Sequence, residues 1–154
     1  NYTGGVTASI EYAVAVLKVK HIIICGHSGC GALEGAMDPE SVKDLPHVSQ
    51  WLSYSKAALQ IVEERVPNAS KEEKLRMLVK ENVLLQLQHI RTHPHVAAKS
   101  ATGKIELHAW AYDIGQGEVE AYDEKLGRFV PVEEKYHEEA KLFAASQASS
   151  CDHT

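Results

Sequence analysis

Residues 21–33 read His-Ile-Ile-Ile-Cys-Gly-His-Ser-Gly-Cys-Gly-Ala-Leu. His27 and Cys30 stand three residues apart in this stretch, and an imidazole with a thiolate is a donor pair that suits Zn2+. Gly26, Gly29 and Gly31 permit a tight bend, so both side chains can turn toward one point. Two other readings share these residues. A glycine-rich passage from a strand into a helix also suits a phosphate held by N-terminal N–H groups, although the Lys-Ser/Thr ending of a phosphate loop is missing here. Alternatively, Cys30 is a small buried apolar residue and His27 a hydrogen-bonded turn residue. Two donors also fall short of a zinc shell, which takes three protein ligands at a catalytic centre and four at a structural one.

The elements that must position this pair follow from the apolar pattern. Ile22-Ile23-Ile24-Cys25 has no polar alternation, which predicts a strand covered on both faces, as in a parallel sheet with helices above and below. His27 then sits at the carboxyl end of a strand, where open α/β sheets keep their ligand sites. Upstream, Ile10, Ala13, Val14 and Leu17 recur at helical spacing behind Thr7 as N-cap, predicting a helix over 8–18 that packs on the sheet. Val48, Leu52, Leu59 and Val62 predict a second helix from Pro46 to about Val66, ended by Pro67. Ser70 followed by Glu73 is a capping box, and Leu75, Leu78, Val79, Val83, Leu87 and Ile90 carry an apolar stripe toward Pro94.

Residues 104–112 alternate, with Ile105, Leu107, Ala109 and Ala111 on one face and Glu106, His108, Trp110 and Tyr112 on the other, which predicts a strand. Gly115-Gln116-Gly117 supplies a turn, and Glu118–Tyr122 and Phe129–Val132 supply short strands of an antiparallel edge hairpin. A terminal helix is expected over 133–146 and a flexible tail over 146–154. The fold class is therefore α/β: a mainly parallel sheet flanked by helices, with an antiparallel edge hairpin, in a single domain over 1–154.

Composition narrows the function classes. The chain has 154 residues, 44% hydrophobic and 24% charged, enough apolar material for one globular core. Its formal net charge is −5 and its basic residues are scattered, which argues against nucleic acid as a partner. No run of about 18 apolar residues exists, so no membrane span is expected. Three cysteines, at 25, 30 and 151, are too few and too irregular for a disulfide framework; they indicate a reducing compartment, hence a cytoplasmic site. The sequence opens at Asn1 on a Gly-Gly loop rather than a Met, and the expectation is that it begins mid-protein.

The remaining candidates have simpler readings. His93 and His95 flank Pro94 as a His-x-His pair and are read as solvated residues of a polar loop. His108 is read as a surface or interface residue and His21 as a cap on the entrance to its strand. Trp51, Trp110 and Tyr112 are read as core or subunit-contact aromatics, Cys25 as core packing and Cys151 as a mobile free thiol.

Glu11-Tyr12-Ala13-Val14 followed by the His21–Ala32 stretch resembles the zinc-site region of the β-class carbonic anhydrases. His108-Ala109-Trp110-Ala111-Tyr112-Asp113-Ile114, Gly117-Glu118-Val119 and Tyr122-Asp123 are similar to that family's later strand and hairpin, and Asn82-Val83 fits as well. The resemblance covers about residues 3–133. It implies that His27 and Cys30 bind Zn2+, and that water made acidic by the metal attacks carbon dioxide to give bicarbonate. It also implies assembly as a homodimer or a higher homo-oligomer. The family's first zinc cysteine lies in a Cys-x-Asp-x-Arg motif whose Asp and Arg form a catalytic pair, and the sequence contains no such motif. The resemblance thus implies that the family's N-terminal helices and first strand precede Asn1. The alternative is an inactive scaffold or oligomerisation module without a complete zinc site.

Overall fold

The computed structural model of the chain describes residues 4–142. Their elements, in order, are α1 (Gly5–Ala15), β1 (His21–His27), α2 (Gly31–Met37), α3 (Pro46–Leu52), α4 (Lys56–Arg65), α5 (Lys71–Ile90), α6 (Pro94–Ala101), β2 (Glu106–Asp113), β3 (Glu118–Asp123), β4 (Arg128–Pro131) and α7 (Val132–Lys135). The four strands form one sheet in the order β1-β2-β3-β4. β1 pairs with β2 in parallel, His21 opposite Glu106 and His27 opposite Tyr112, while β2–β3 and β3–β4 are antiparallel. The expected α/β class is found, as a mixed sheet whose parallel part is the β1–β2 pairing and whose hairpin lies at the edge. No helix among the described residues is long and apolar enough to cross a membrane.

α5 organises the core. The Ser70 hydroxyl accepts the Glu73 backbone N–H at 3.2 Å, satisfying one of the donors a helix start leaves free. All six residues of the expected stripe are buried. Val83, Leu87 and Ile90 join Val14, Val96, Ile105 and Ala109 in a cluster over the sheet, with Ile22 and Ile24 against it. Leu75, Leu78 and Val79 join Leu33, Ala58 and Val62 in a second cluster. One helix thus binds the sheet with one end of its stripe and α2 and α4 with the other.

Several boundaries differ from the sequence expectation. α1 begins three residues before 8, with Gly4 rather than Thr7 at its N-cap. It ends at Ala15, because Lys18 adopts a left-handed φ of 56° and Val19 N–H returns to Ala13 O at 3.2 Å, reversing the chain into β1. The helix expected over 46–66 is two helices. Ser53 and Ser55 hydroxyls donate to Gln50 O at 2.6 Å and Leu52 O at 2.7 Å, and these local bonds accompany a 3-10 turn that separates α3 from α4. α4 still stops before Pro67, where Val66 leaves the helical region. Pro94 opens a further helix, with Val96 fully buried; His93 and His95 therefore belong to a helix start, not to a loop.

The strand β1 also departs from its reading. Its residues alternate in exposure, and His21, Ile23, Cys25 and His27 form an exposed row. The four consecutive apolar residues do not bring cover on both faces among the described residues, because α1 and α5 pack against Ile22 and Ile24 alone. Cys25 is accordingly exposed rather than core. Trp51 is 62% exposed, so it does not pack in this core, whereas Trp110 is half-buried and Tyr112 exposed. The C-terminal helix is interrupted: α7 stops at Tyr136, which leaves the helical region, and residues 137–142 are helical again. The end of the expected 133–146 helix, the 146–154 tail and Cys151 lie outside the described residues.

Candidate metal centre

The end of β1 and the turn after it are held from two sides, by α5 and by the end of β2. A Cβ on Gly26 would lie 2.7 Å from Val83 Cγ2 and 2.8 Å from Val79 Cγ1, so β1 lies against α5 at a distance only glycine allows. Ser28 ties the turn to the end of β2: its N–H donates to Tyr112 O at 2.9 Å and its hydroxyl accepts Ile114 N–H at 3.0 Å. Gly29 then takes φ 62°, a left-handed conformation that costs a side-chain-bearing residue energy, and leads the chain into Cys30.

His27 is exposed at the strand end, and its Nδ1 lies 2.9 Å from Ser28 O. A carbonyl only accepts, so Nδ1 carries a proton in this contact, which leaves Nε2 as the ring's lone-pair donor when the imidazole is neutral. This is the tautomer that a metal-binding imidazole presents, with the backbone carbonyl as its orienting partner. Cys30 is half-buried, sits at the N-cap of α2 with φ −73° and ψ 103°, and packs against the cluster around Leu33. Its carbonyl accepts Glu34 N–H at 3.0 Å, the first bond of α2.

These donors fit zinc chemically, as a neutral imidazole nitrogen and a thiol that binds once deprotonated. Two donors would make part of a zinc ligand set rather than a whole one. The phosphate alternative fits less well: Ser28 N–H is committed to Tyr112 O, and Glu34 places a negative charge in the first turn of α2, where it opposes an anion. The alternative reading is also met at both residues, since Cys30 packs against the Leu33 cluster and His27 is hydrogen-bonded within the turn.

The other histidines fall elsewhere. His95 Nε2 lies 3.9 Å from Glu11 Oε1, away from the β1 turn. His21 Nδ1 and His108 Nε2 approach to 3.1 Å, and His108 Nδ1 lies 2.8 Å from the Tyr136 hydroxyl, which also accepts Trp110 Nε1–H at 3.2 Å. Burial, and then the neighbouring His21, push the His108 pKa below the ordinary imidazole value. Sequence reasoning missed this grouping because the pairing of His21 with Glu106 depends on a register between segments some 80 residues apart.

The family profile described as carbonic anhydrase matches residues 1–119. Carbonic anhydrase 1 of Escherichia coli O157:H7 is 43% identical over 129 residues, which are 84% of this chain and 58% of that protein. Among solved structures, the β-carbonic anhydrase CcaA superposes with a TM-score of 0.80 at 37% identity, over 84% of this chain and 59% of that one. A tetrameric β-carbonic anhydrase of the filamentous ascomycete Sordaria macrospora gives 0.68 at 30% identity, over 84% and 64%. The chain thus spans a little under three fifths of the length of the first two. With profile, sequence and fold in agreement, the chain belongs to the β-class carbonic anhydrase family.

Proposed function

We propose that the chain is part of an enzyme that hydrates carbon dioxide to bicarbonate and a proton, with a Zn2+ held by His27 Nε2 and Cys30 Sγ. The observation that carries this reading is the His27–Ser28 hydrogen bond of 2.9 Å, which orients the ring through Nδ1 and leaves Nε2 for a metal, three residues before a cysteine in a chain of this family. When bound, zinc supplies the Lewis acidity that brings the pKa of water near neutrality. The chain's own residues do the positioning. Ser28 O fixes the His27 ring, the Ser28 bonds to β2 fix the turn, and Cys30 releases its thiol proton to solvent as it becomes a ligand.

A catalytic zinc takes three protein ligands, so the reading requires a third, supplied from residues outside this sequence. Assembly as a homo-oligomer accompanies the proposal, supported by the tetrameric relative and by exposed apolar side chains on α1 and α3, including Tyr12 and Trp51. A cytoplasmic site rests on the cysteine usage.

Zinc content and stopped-flow carbon dioxide hydration of the full-length protein test the assignment together. Wild type should carry one zinc per chain at the centre, and His27→Ala and Cys30→Ser should each lower hydration at least about a hundredfold and abolish stoichiometric zinc there. Full occupancy and activity in Cys30→Ser overturn the ligand assignment. A correctly folded full-length protein without zinc or activity supports the scaffold reading instead.

A further inference from the structure

His21, Glu106 and His108 lie at the start of the β1–β2 pairing, His21 directly opposite Glu106 and His108 two residues farther along the same face of β2. His21 Nδ1 is 3.1 Å from His108 Nε2 and 3.8 Å from Glu106 Oε2; His108 Nε2 is 4.0 Å from that same oxygen. Two imidazole nitrogens and a carboxylate oxygen thus form a triangle whose shortest edge is a His–His hydrogen bond, which an ion would replace as the shared proton moves to the other nitrogen of its ring. With metal–ligand bonds of about 2.0–2.2 Å, the ligand-to-ligand edges of a tetrahedral site are about 3.3–3.5 Å. The observed edges bracket that value, and side-chain shifts of about half an ångström close the triangle onto an ion.

The surroundings favour a ligand role. The His108 side chain is 16% exposed and is held by the Tyr136 hydroxyl at Nδ1, while the same hydroxyl is anchored by Trp110. This is the outer hydrogen bonding that orients a metal-binding histidine. His21 and Glu106 are 58% and 70% exposed, so an ion reaches the triangle from solvent.

We propose that His21, Glu106 and His108 form a second divalent-metal site, at the opposite end of the exposed β1 face from His27 and Cys30. Six residues of strand separate the two ends, about 20 Å, so this site is independent of the proposed catalytic centre. Its nitrogen-rich donor set selects Zn2+, Co2+, Ni2+ or Cu2+ over Ca2+ and Mg2+. An ion held there joins the beginnings of two strands that are distant in sequence.

Co2+ titrated into the zinc-loaded full-length protein, followed by calorimetry and visible absorption, tests the site. One additional equivalent should bind without a thiolate-to-cobalt charge-transfer band. Its affinity should fall at least about tenfold in Glu106→Gln and in His21→Ala, both changes of exposed side chains with folding checked by circular dichroism, and should be unchanged in Cys30→Ser. Absence of an additional equivalent at millimolar Co2+, or one insensitive to Glu106→Gln and His21→Ala, overturns the proposal. Cobalt that shows the charge-transfer band and responds only to Cys30→Ser overturns it too, while leaving the catalytic assignment standing. The additional equivalent retained in a protein that lacks zinc at His27 and Cys30 separates the two in the other direction.

Discussion

Gly26→Ala isolates the close approach of β1 to α5. The added Cβ lies 2.7 Å from Val83 Cγ2 and 2.8 Å from Val79 Cγ1, against an ordinary carbon–carbon contact of about 3.5–4.0 Å, so each must retreat by about 0.7–1.3 Å. Val79 and Val83 are 4% and 2% exposed and β-branched, with one strongly preferred rotamer in a helix. They cannot swing aside, and α5 must back away from the sheet. Overpacking of this kind costs about 1–3 kcal/mol; with two contacts broken by similar amounts, about 2 kcal/mol is expected. For a domain of about 150 residues that corresponds to a fall in Tm of about 4–8 °C. Val83→Ala alone should cost about 2 kcal/mol, as transfer energy of the lost methyls plus a cavity. The double variant should be less destabilised than the sum of the two by about 1 kcal/mol, because the alanine at 83 vacates the space the new Cβ needs. Urea unfolding of the four proteins reads the coupling directly. A Gly26→Ala protein within about 0.5 kcal/mol of wild type, or strictly additive changes, would refute the packing argument.

Tyr136→Phe removes the hydroxyl shared by His108 and Trp110 at 2.8 and 3.2 Å. Both partners are half-buried, so a loss of about 1–2 kcal/mol is expected in urea unfolding, and a change below about 0.3 kcal/mol means water replaces the hydroxyl. Asp123 is held below the ordinary carboxylate range by the Leu126 N–H and then by the Lys135 ammonium, against an opposing effect of burial. Because its folded pKa lies below its unfolded one, near 3.9, it stabilises the fold above about pH 4 and that contribution is lost as pH falls through the lowered value. Asp123→Asn should therefore flatten the stability profile below about pH 4 as followed by circular dichroism. An unchanged acid limb rules Asp123 out as a contributor.

Legibility in the sequence followed the range of the interaction. α5 was readable in full, since a capping box and an i, i+3, i+4 stripe are local, and Ser70, Leu75, Leu78, Val79, Val83, Leu87 and Ile90 all take their expected places. β2 was readable for the same reason, its two-residue period separating Ala109 and Ala111 from His108 and Trp110. The break between α3 and α4 was not, because Ser53 and Ser55 are compatible with a continuous helix until their hydroxyls take main-chain carbonyls. Pro94 was read as a stop although proline equally starts a helix. The exposure of Cys25 and the meeting of His21, Glu106 and His108 depend on packing and register, which no local pattern encodes. At the β1 turn, the donor types of His27 and Cys30 were legible, whereas the Ser28 bonds that hold the turn to β2 were not.

The division of labour on β1 follows from its period. Gly26 must face α5, since Val79 and Val83 meet it there, and alternation then obliges His27 to point to the other side. The same parity carries His21, Ile23 and Cys25 to that side, so the face that packs and the face that carries donors are separated by the backbone itself. A substitution on the packing face acts on the donors only through movement of the strand, as Gly26→Ala does. One on the donor face leaves the core contacts of Ile22 and Ile24 in place. Chemistry on this strand can therefore vary without loss of the fold, while the fold, being what the packing face specifies, identifies the family whatever the donor face carries.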